Sequence, residues 1–255
     1  PQDGLLIGCE DDSGVQWLKG MVGERRRWWG YGLNEGTLWR ATDLCDNEYG
    51  GSSFILRRAH APQAEVHLLL PGSHNVRNAT AALAVVAYLG VDLAEASHIL
   101  GQFRGATRRF EKVGECRGII VLDDYAHHPT EIRATLRATR QRYPQHTIWA
   151  VFQPHTYSRT LALLPDYAEA FVDADHVVIT EIYASREAND GRVNAIDIVN
   201  RMHHPEVRYI GQHRAVVDDL RERVMPESVI ITLGAGDGNR IGRWFLEVMQ
   251  EREIE

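Results

Sequence analysis

Lysine is scarce in this sequence. The only two are Lys19 and Lys112, and nearly all of the positive charge is arginine. Neither lysine stands in a Gly-Lys-Ser/Thr context, so the loop with which many nucleotide-binding proteins hold phosphate groups is missing from this chain. Chemistry that depends on a lysine side chain therefore has few candidate residues.

The sequence is also poor in cysteine, in long apolar runs and in net positive charge. Its three cysteines, Cys9, Cys45 and Cys116, are too few and too scattered for a disulfide framework or a zinc site, which favours a reducing compartment. No run reaches the ~18 apolar residues of a membrane span, and the first residues lack the layout of a secretory signal. The formal net charge of -7 argues against non-specific binding to nucleic acid. We therefore expect a cytoplasmic protein with neither membrane nor nucleic-acid partners.

Short strands are predicted in the first 71 residues. Apolar runs cover 5–9 and 39–44, and the runs 53–57 and 66–70 predict a hairpin with its turn at Ala61-Pro62. The aromatic residues Trp28, Trp29 and Tyr31 fit either a platform for base stacking or a core cluster, and the core cluster is the commoner use.

Two helices are predicted next, over 75–89 and from 92 to 100. Asn75 is a candidate N-cap of the first helix, and Gly90 a residue that ends it in the left-handed conformation. Asp92 and Glu95 have the spacing of a capping box. Asn75 and Asn78 share a face near the start of the first helix. They are either a cap and a surface amide, respectively, or two contacts to a ligand.

From residue 111 onward, apolar runs alternate with amphipathic segments. Strands are predicted at 119–122, 148–152, 177–180, 207–209 and 229–233, and helices at 129–142, on both sides of Pro165, at 195–202, at 214–224 and at the end. This alternation indicates an α/β domain with a mostly parallel sheet covered on both faces. The boundary between the two parts is expected near residues 105–108.

Unusually polar peptides follow the predicted strands, where parallel sheets bind their ligands. They are residues 123–130, 153–160, 181–187 and 234–238. The first contains two acids and two adjacent histidines. Because neighbouring side chains in an extended chain point to opposite sides, a metal shared by both histidines is disfavoured. Two interpretations are left. In one, a carboxylate binds a ribose and one histidine faces the substrate; in the other, the peptide is a solvated loop.

His155 and Arg159 are one helical turn apart if a helix starts at Ser158, so they are candidates to hold one anion. The alternative is that Arg159 only pairs with an acid such as Asp166. The glycines 234, 236 and 238 suggest a dinucleotide-binding fingerprint, but Asn239 occupies the third glycine position and no strand with a ribose-binding acid follows. A carboxylate or phosphate site and a loop without ligand remain the two interpretations.

Taken in order, these peptides resemble the Mur ligase family over nearly the whole chain. The peptides that carry the resemblance are PGSHNVRNA (71–79), RRFE (108–111), DDYAHHPTE (123–131) and FQPHTYSRT (152–160). The resemblance implies a C-terminal Rossmann-like domain over 108–255, preceded by part of a central ATPase domain over 1–107. It implies ATP-dependent addition of L-alanine to UDP-N-acetylmuramate through an acyl phosphate, as a step of peptidoglycan precursor synthesis.

The resemblance also implies roles for individual residues. The adenine and the rest of ATP would be contacted by His74, Asn75, Asn78, Arg109 and Asp124, with Asp124 at the ribose. Tyr125, His155 and Arg159 would bind L-alanine, and His127 and Arg109 would act in catalysis. No metal ligand is expected in this chain, because the residues that the family uses for Mg2+ belong to a part that the sequence does not contain.

Departures from the family pattern define the remaining alternatives. The absence of the phosphate loop and of a UDP-binding domain suggests a fragment that is inactive by itself, and Thr156 stands where relatives commonly have Arg. Competing hypotheses are a ligase that adds a whole tripeptide to the same muramate, a non-catalytic nucleotide- or amino-acid-binding module, and a nicotinamide oxidoreductase.

Overall fold

The computed structural model describes residues 4–251 and divides the chain into two compact units. Unit 1 extends to Arg104, and unit 2 begins at Gly105. Each unit has its own sheet and its own buried apolar cluster.

Unit 1 contains a five-stranded sheet with the order β1-β2-β3-β4-β5. The strands are β1 (Leu5–Cys9), β2 (Arg27–Gly32), β3 (Trp39–Asp46), β4 (Ser52–Arg58) and β5 (Ala61–His67). The first three are parallel, and β3, β4 and β5 pair antiparallel. Helix α1 (Ser13–Val22) and a short 3-10 turn (Gly23–Arg25) connect β1 to β2, and α2 (Ser73–Tyr88) and α3 (Leu93–Leu100) complete the unit.

The core of unit 1 lies between α2 and the sheet. Trp39, Phe54 and Leu56 pack there against Val76 and Leu83 of α2. Trp29 joins this cluster, with its ring 5.9 Å from that of Trp39 and 5.6 Å from that of Tyr88. The aromatic residues near the start of the chain thus include a core contact, as the commoner interpretation predicted.

Two local predictions in unit 1 are wrong. The hairpin turn consists of Ala59 and His60, both with positive φ, and Ala61 already belongs to β5, which ends at His67 rather than Leu70. Two residues with φ > 0 form the kind of tight turn that suits the twist of paired strands. Helix α2 begins at Ser73 with Gly72 as its N-cap, and Asn75 donates instead to the carbonyl of Pro71.

Two end signals in unit 1 are confirmed. Gly90 adopts φ +77° directly after the last turn of α2, a conformation that glycine tolerates without strain. At the start of α3, the N-cap half of the predicted capping box forms: the Asp92 carboxylate accepts a hydrogen bond from the Glu95 amide, which satisfies one of the free N–H groups of that helix.

Unit 2 contains a six-stranded sheet with the order β10-β9-β8-β11-β7-β6. Its strands are β6 (Glu111–Cys116), β7 (Ile119–Asp124), β8 (Thr147–Phe152), β9 (His176–Ile179), β10 (Val207–Tyr209) and β11 (Ser228–Leu233). All neighbours are parallel except β6 and β7. The mostly parallel α/β sheet predicted from the sequence is therefore confirmed.

Helices cover both faces of this sheet. They are α4 (Pro129–Arg142), α5 (Tyr157–Ala162), α6 (Leu164–Ala168), α7 (Ala195–Arg201), α8 (His213–Arg223) and α9 (Asn239–Glu251). Alternate residues of β7, β8 and β11 enter two separate cores, one against α4, α6 and α7 and the other against α8 and α9. Burial on both faces explains why these strands read as continuous apolar runs.

The strand β6 was not predicted. Its sequence, EKVGEC, is polar and interrupted by a glycine, and its pairing with β7 shifts register between Lys112 and Gly114. A solvent-facing edge strand carries little apolar patterning, so the periodicity that predicted the central strands is weak here.

Among residues 4–251, no helix has the length and apolar character that crossing a membrane requires.

Candidate functional site

The strands of unit 2 end at one level on the carboxyl edge of the sheet. Leu233 of β11 pairs in register with Asp124 of β7 on one side and Phe152 of β8 on the other, and Phe152 pairs with Ile179 of β9. The polar peptides that follow these four strands therefore leave the sheet side by side, which is where parallel sheets bind ligands.

Four of the predicted site residues gather at this edge. The rings of Tyr125 and His127 lie 5.6 Å apart, and those of His127 and His155 lie 6.2 Å apart. Arg159 in the first turn of α5 donates from Nη1 to the carbonyl oxygen of His155 at 2.8 Å and approaches its Nδ1 at 3.2 Å. The described contacts of Arg159 are thus with His155, and the alternative pairing with Asp166 is not the one that forms.

The partners of the two histidines determine which ring nitrogen carries the proton. His127 Nδ1 lies 2.9 Å from the carbonyl oxygen of Tyr125, which can only accept, so Nδ1 donates and Nε2 of the neutral ring keeps its lone pair. His155 Nδ1 faces the guanidinium of Arg159, which can only donate, so its Nε2 carries the hydrogen. The site therefore presents one acceptor nitrogen and one donor nitrogen.

Further interactions fix the charge and position of the His155 ring and the backbone of His127. Burial lowers the pKa of His155 from its ordinary value of 6.5, and the charges of Arg159 and His127 act in the same direction, so His155 is neutral at pH 7. Its ring stacks on that of Tyr183 at 5.6 Å. The backbone of His127 is fixed by Tyr167, whose hydroxyl donates to the His127 carbonyl oxygen at 2.7 Å.

Asp124 is buried, and both of its carboxylate oxygens accept from backbone groups. Oδ2 accepts from Phe110 N at 2.8 Å and Oδ1 from Ala126 N at 2.7 Å. Burial raises the pKa of Asp124 above its ordinary value despite these hydrogen bonds and the charge of Arg109. Asp124 therefore organises the loop after β7, and its contact with a ribose stays a prediction.

Arg109 is half-exposed beside the cluster. Its guanidinium lies 5.6 Å from the Tyr125 ring, and its Nη1 is 3.9 Å from Glu131 Oε1. Such a loose pair at the surface leaves the side chain available to an anionic ligand. The neighbouring Arg108 was not predicted as a site residue, and its guanidinium is engaged within the protein. It donates to Asp123 Oδ2 at 2.9 Å and to the carbonyl oxygens of Gly234 and Gly236.

The glycine peptide after β11 forms a tight loop rather than a dinucleotide fingerprint. Gly234 and Gly236 accept from Arg108, and the Gly238 amide donates to Oε1 of the buried Gln153 at 2.8 Å. A Cβ atom at Gly236 would lie 2.3 Å from the same oxygen, so the loop closes against Gln153 only because this residue is glycine.

His74, Asn75 and Asn78 lie in unit 1, in the first turns of α2. Asn75 donates to Pro71 O, while Asn78 is exposed to solvent. Nearby, Arg77 pairs with Asp11 at 2.6 Å, and the Asp11 carboxylate also accepts from the amides of Leu33 and Asn34. The start of α2 is thereby tied to the carboxyl ends of β1 and β2.

Residues 4–251 bring together no group of three or more His, Cys, Asp or Glu side chains that would hold a metal ion. The two adjacent histidines separate as expected: His127 faces the cluster, whereas His128 caps α4 by accepting from the Thr130 amide. No metal is therefore assigned to this edge.

Comparison with known proteins gives consistent results. The chain is 41% identical over 249 residues to the UDP-N-acetylmuramate--L-alanine ligase of Caldanaerobacter subterraneus subsp. tengcongensis, covering 97% of the chain and 54% of that protein. It is 46% identical over 177 residues to the enzyme of the same name from Roseiflexus castenholzii, covering 69% and 37%. The matched region thus spans about half the length of the first relative and little more than a third of the second.

A solved structure agrees. The crystal structure of UDP-N-acetylmuramate-alanine ligase MurC from Thermotoga maritima matches with a TM-score of 0.79 and 26% identity, covering 97% of this chain and 52% of that one. The family described as "Mur ligase, glutamate ligase domain" matches residues 108–236, which is half of the chain and most of unit 2. The chain therefore belongs to the Mur ligase family.

Proposed function

We propose that this chain supplies the acceptor side, and part of the nucleotide side, of an ATP-dependent ligase that joins L-alanine to UDP-N-acetylmuramate. The observation that carries the proposal is the gathering of Tyr125, His127, His155 and Arg159 at the carboxyl edge of the unit 2 sheet. The names of the similar proteins support the same substrates. We assign residues 108–255 to the C-terminal ligase domain and 1–107 to the central ATP-binding domain.

The proposed reaction makes an amide from a carboxylate. Transfer of the terminal phosphoryl group of ATP to the muramate carboxylate gives an acyl phosphate and ADP; attack by the amine of L-alanine then forms a tetrahedral intermediate that releases phosphate. The amine must first lose a proton, since an ammonium group has no lone pair with which to attack.

The cluster offers a group for each requirement of the acceptor. Arg159 is a planar cation that suits the carboxylate of L-alanine. His127 Nε2 carries a free lone pair, with which it takes the proton of the amine. The Nε2–H group of His155 donates to an anionic oxygen of the substrates. The Tyr125 ring lies between His127 on one side and Arg108 and Arg109 on the other.

We propose that ATP is contacted by His74, Asn75 and Asn78 at the start of α2, by Arg109 at its phosphates and by Asp124 at the ribose. Arg109 suits this role because its ion pair with Glu131 is loose, with 3.9 Å between Nη1 and Oε1. Mg2+ has no ligand set among the described residues, so no step is assigned to it here. Because the chain also lacks a Gly-Lys-Ser/Thr loop, we expect no ligase turnover from it alone. The proposed substrates are all small and water-soluble, in keeping with the cytoplasmic location expected from the sequence.

Titration calorimetry of the purified chain tests the acceptor assignment. L-alanine is expected to bind saturably, and D-alanine and the tripeptide that the competing ligase would add are expected to bind more weakly. Arg159→Ala should abolish the L-alanine signal. Equal or tighter binding of the tripeptide would favour the tripeptide-adding alternative. Alanine-dependent release of ADP by the chain alone would contradict the expectation that it is inactive.

A further inference from the structure

The segment after β9, residues 183–187, packs against the segment after β8 that carries the acceptor residues. Tyr183 N donates to Pro154 O at 2.8 Å, His155 and Tyr183 form an isolated parallel bridge, and their rings stack. Glu187 completes the turn by donating its amide to Ala184 O at 3.0 Å. The backbone of residues 154–156 is thereby tied to a second loop.

Glu187 makes the polar contacts between this loop and the start of α5. Its carboxylate accepts from the hydroxyl of Thr156 at 2.5 Å, from the hydroxyl of Ser158 at 2.5 Å and from the amide of Ser158 at 2.8 Å. These donors, led by the Ser158 hydroxyl and then that of Thr156, lower the pKa of Glu187 to about 2. The carboxylate is therefore ionised throughout the neutral range.

Helix α5 has no side-chain cap of its own. Thr156 occupies the N-cap position, but its hydroxyl contacts the Ser158 hydroxyl at 3.3 Å and accepts from no backbone amide of the first turn. Because α5 has only six residues, it gains little stability from its own hydrogen bonds. Glu187 supplies the missing acceptor from a separate loop. Arg159 follows one residue after Ser158, so its direction depends on how this first turn is held.

We propose that Glu187 is a positioning residue for the acceptor site, which fixes the first turn of α5 so that Arg159 and His155 face the same ligand. The argument rests on the proposed function, because it takes Arg159 to bind the carboxylate of L-alanine. Glu187 acts through Ser158 and Thr156, and it need not touch the substrate.

The experiment compares L-alanine and ADP binding to the chain by calorimetry. Glu187→Ala is expected to weaken L-alanine binding on the order of tenfold, the loss typical of a charge-assisted hydrogen bond. Glu187→Gln, which keeps one acceptor oxygen, should lose less, and ADP binding should change by less than about twofold. The matched control is Asp190→Ala in the same loop, whose carboxylate bonds only Arg192 among the described contacts and should leave L-alanine binding unchanged.

A double-mutant cycle with Ser158→Ala separates positioning from direct contact. If Glu187 acts through Ser158, the double variant binds L-alanine no more weakly than Glu187→Ala alone. Additive losses would mean that Glu187 acts independently of Ser158, and they would overturn the inference, as would an unchanged affinity in Glu187→Ala.

Amide hydrogen exchange tests the same inference without ligand. The Ser158 and Arg159 amides should exchange faster in Glu187→Ala than in the parent chain or in Asp190→Ala. Unchanged exchange in Glu187→Ala would contradict the positioning role of Glu187, even if the parent chain binds L-alanine. If exchange is faster in Glu187→Ala but the parent chain does not bind L-alanine, the positioning role stands and the proposed function is contradicted.

Discussion

At the scale of single residues, the site depends on which nitrogen of each histidine is free. A carbonyl oxygen holds His127 Nδ1 and a guanidinium faces His155 Nδ1, so two similar rings present opposite groups to a ligand. The motif residues themselves were predictable from the sequence. Their partners were not, because Glu187 lies 31 residues from Thr156 and Arg108 lies 126 from Gly234, and only the folded sheet brings them together.

The lowered pKa of His155 gives a prediction about pH. Its ring should titrate below the ordinary value of 6.5 because burial and the Arg159 charge disfavour the protonated form. Arg159→Gln should raise that pKa, whereas Arg137→Gln on the exposed side of α4 should not. Histidine ring NMR over a pH series measures both, and a His155 midpoint at or above 6.5 in the parent chain would contradict the geometry.

The same shift has a consequence for stability. His155, His176 and His213 all have lowered pKa values, with burial as the first cause. Because the unfolded chain binds protons at these sites near pH 6.5 and the folded chain does not, their contribution to stability is present above pH 6.5 and is lost as the pH falls towards the folded-state values. Urea midpoints should therefore decrease from pH 7 to pH 5.5, and a constant midpoint would refute this.

At the scale of elements, Arg108 ties the end of β7 to the loop after β11. It pairs with the Asp123 carboxylate, which is 4% exposed and otherwise accepts from the Thr232 hydroxyl, and it donates to two carbonyl oxygens of the glycine loop. The peptides after β7 and β11 are thus connected by Arg108 and its partly buried ion pair with Asp123.

Removing this ion pair should destabilise unit 2 strongly. Arg108→Ala leaves a buried carboxylate without its cation and is expected to cost about 3 kcal/mol of unfolding free energy. Arg109→Ala is the adjacent control: its side chain is half-exposed and its pair with Glu131 spans 3.9 Å, so the cost should be below about 1 kcal/mol. Denaturant unfolding of both variants measures the difference, and similar midpoints would be inconsistent with the role of Arg108.

The fit between the glycine loop and Gln153 gives a second prediction at this scale. Gly236→Ala would place a methyl group 2.7 Å from the Tyr183 ring and 2.3 Å from Gln153 Oε1, so it should destabilise unit 2 and disturb the stacking of Tyr183 on His155. Gly20→Ala in α1 meets no atom within 4 Å and should stabilise by about 1 kcal/mol. Thermal unfolding and the His155 ring signal report the two effects, and an unperturbed Gly236→Ala variant would show that the loop is not tightly packed.

Helices and strands could be predicted from the sequence where their ends or their burial leave a local residue pattern. Helix α4 begins and ends where Pro129, the first-turn acid and the amphipathic period indicate. The central strands of unit 2 were found because they are buried on both faces. The start of α2 was misplaced because Gly72, in a left-handed conformation, took the cap position that Asn75 was expected to fill.

At the scale of the whole molecule, each unit closes its own sheet with its own helices. The two cores of unit 2 draw all their buried residues from Phe110 onward, and the core of unit 1 ends with α3. The change from mixed strands to a regular α/β alternation was visible in the sequence, whereas the strand orders were not, because they are set by pairings distant in sequence.

This independence predicts that residues 105–255 fold without the rest of the chain. The isolated segment should unfold cooperatively and retain the L-alanine affinity of the whole chain, since every proposed acceptor residue lies within it. Circular dichroism on heating and calorimetry with L-alanine check the two statements. Non-cooperative melting would show that unit 2 depends on unit 1.

The central claim is that Tyr125, His127, His155 and Arg159 hold L-alanine. It is tested most directly by NMR of the chain with isotope-labelled histidine rings during a titration with this amino acid. The account predicts that the ring signals of His127 and His155 shift together and saturably, while those of His98 and His204, which lie in α3 and before β10, stay fixed. Saturable shifts at the two control histidines alone, or no saturable shift at His127 and His155, would contradict it.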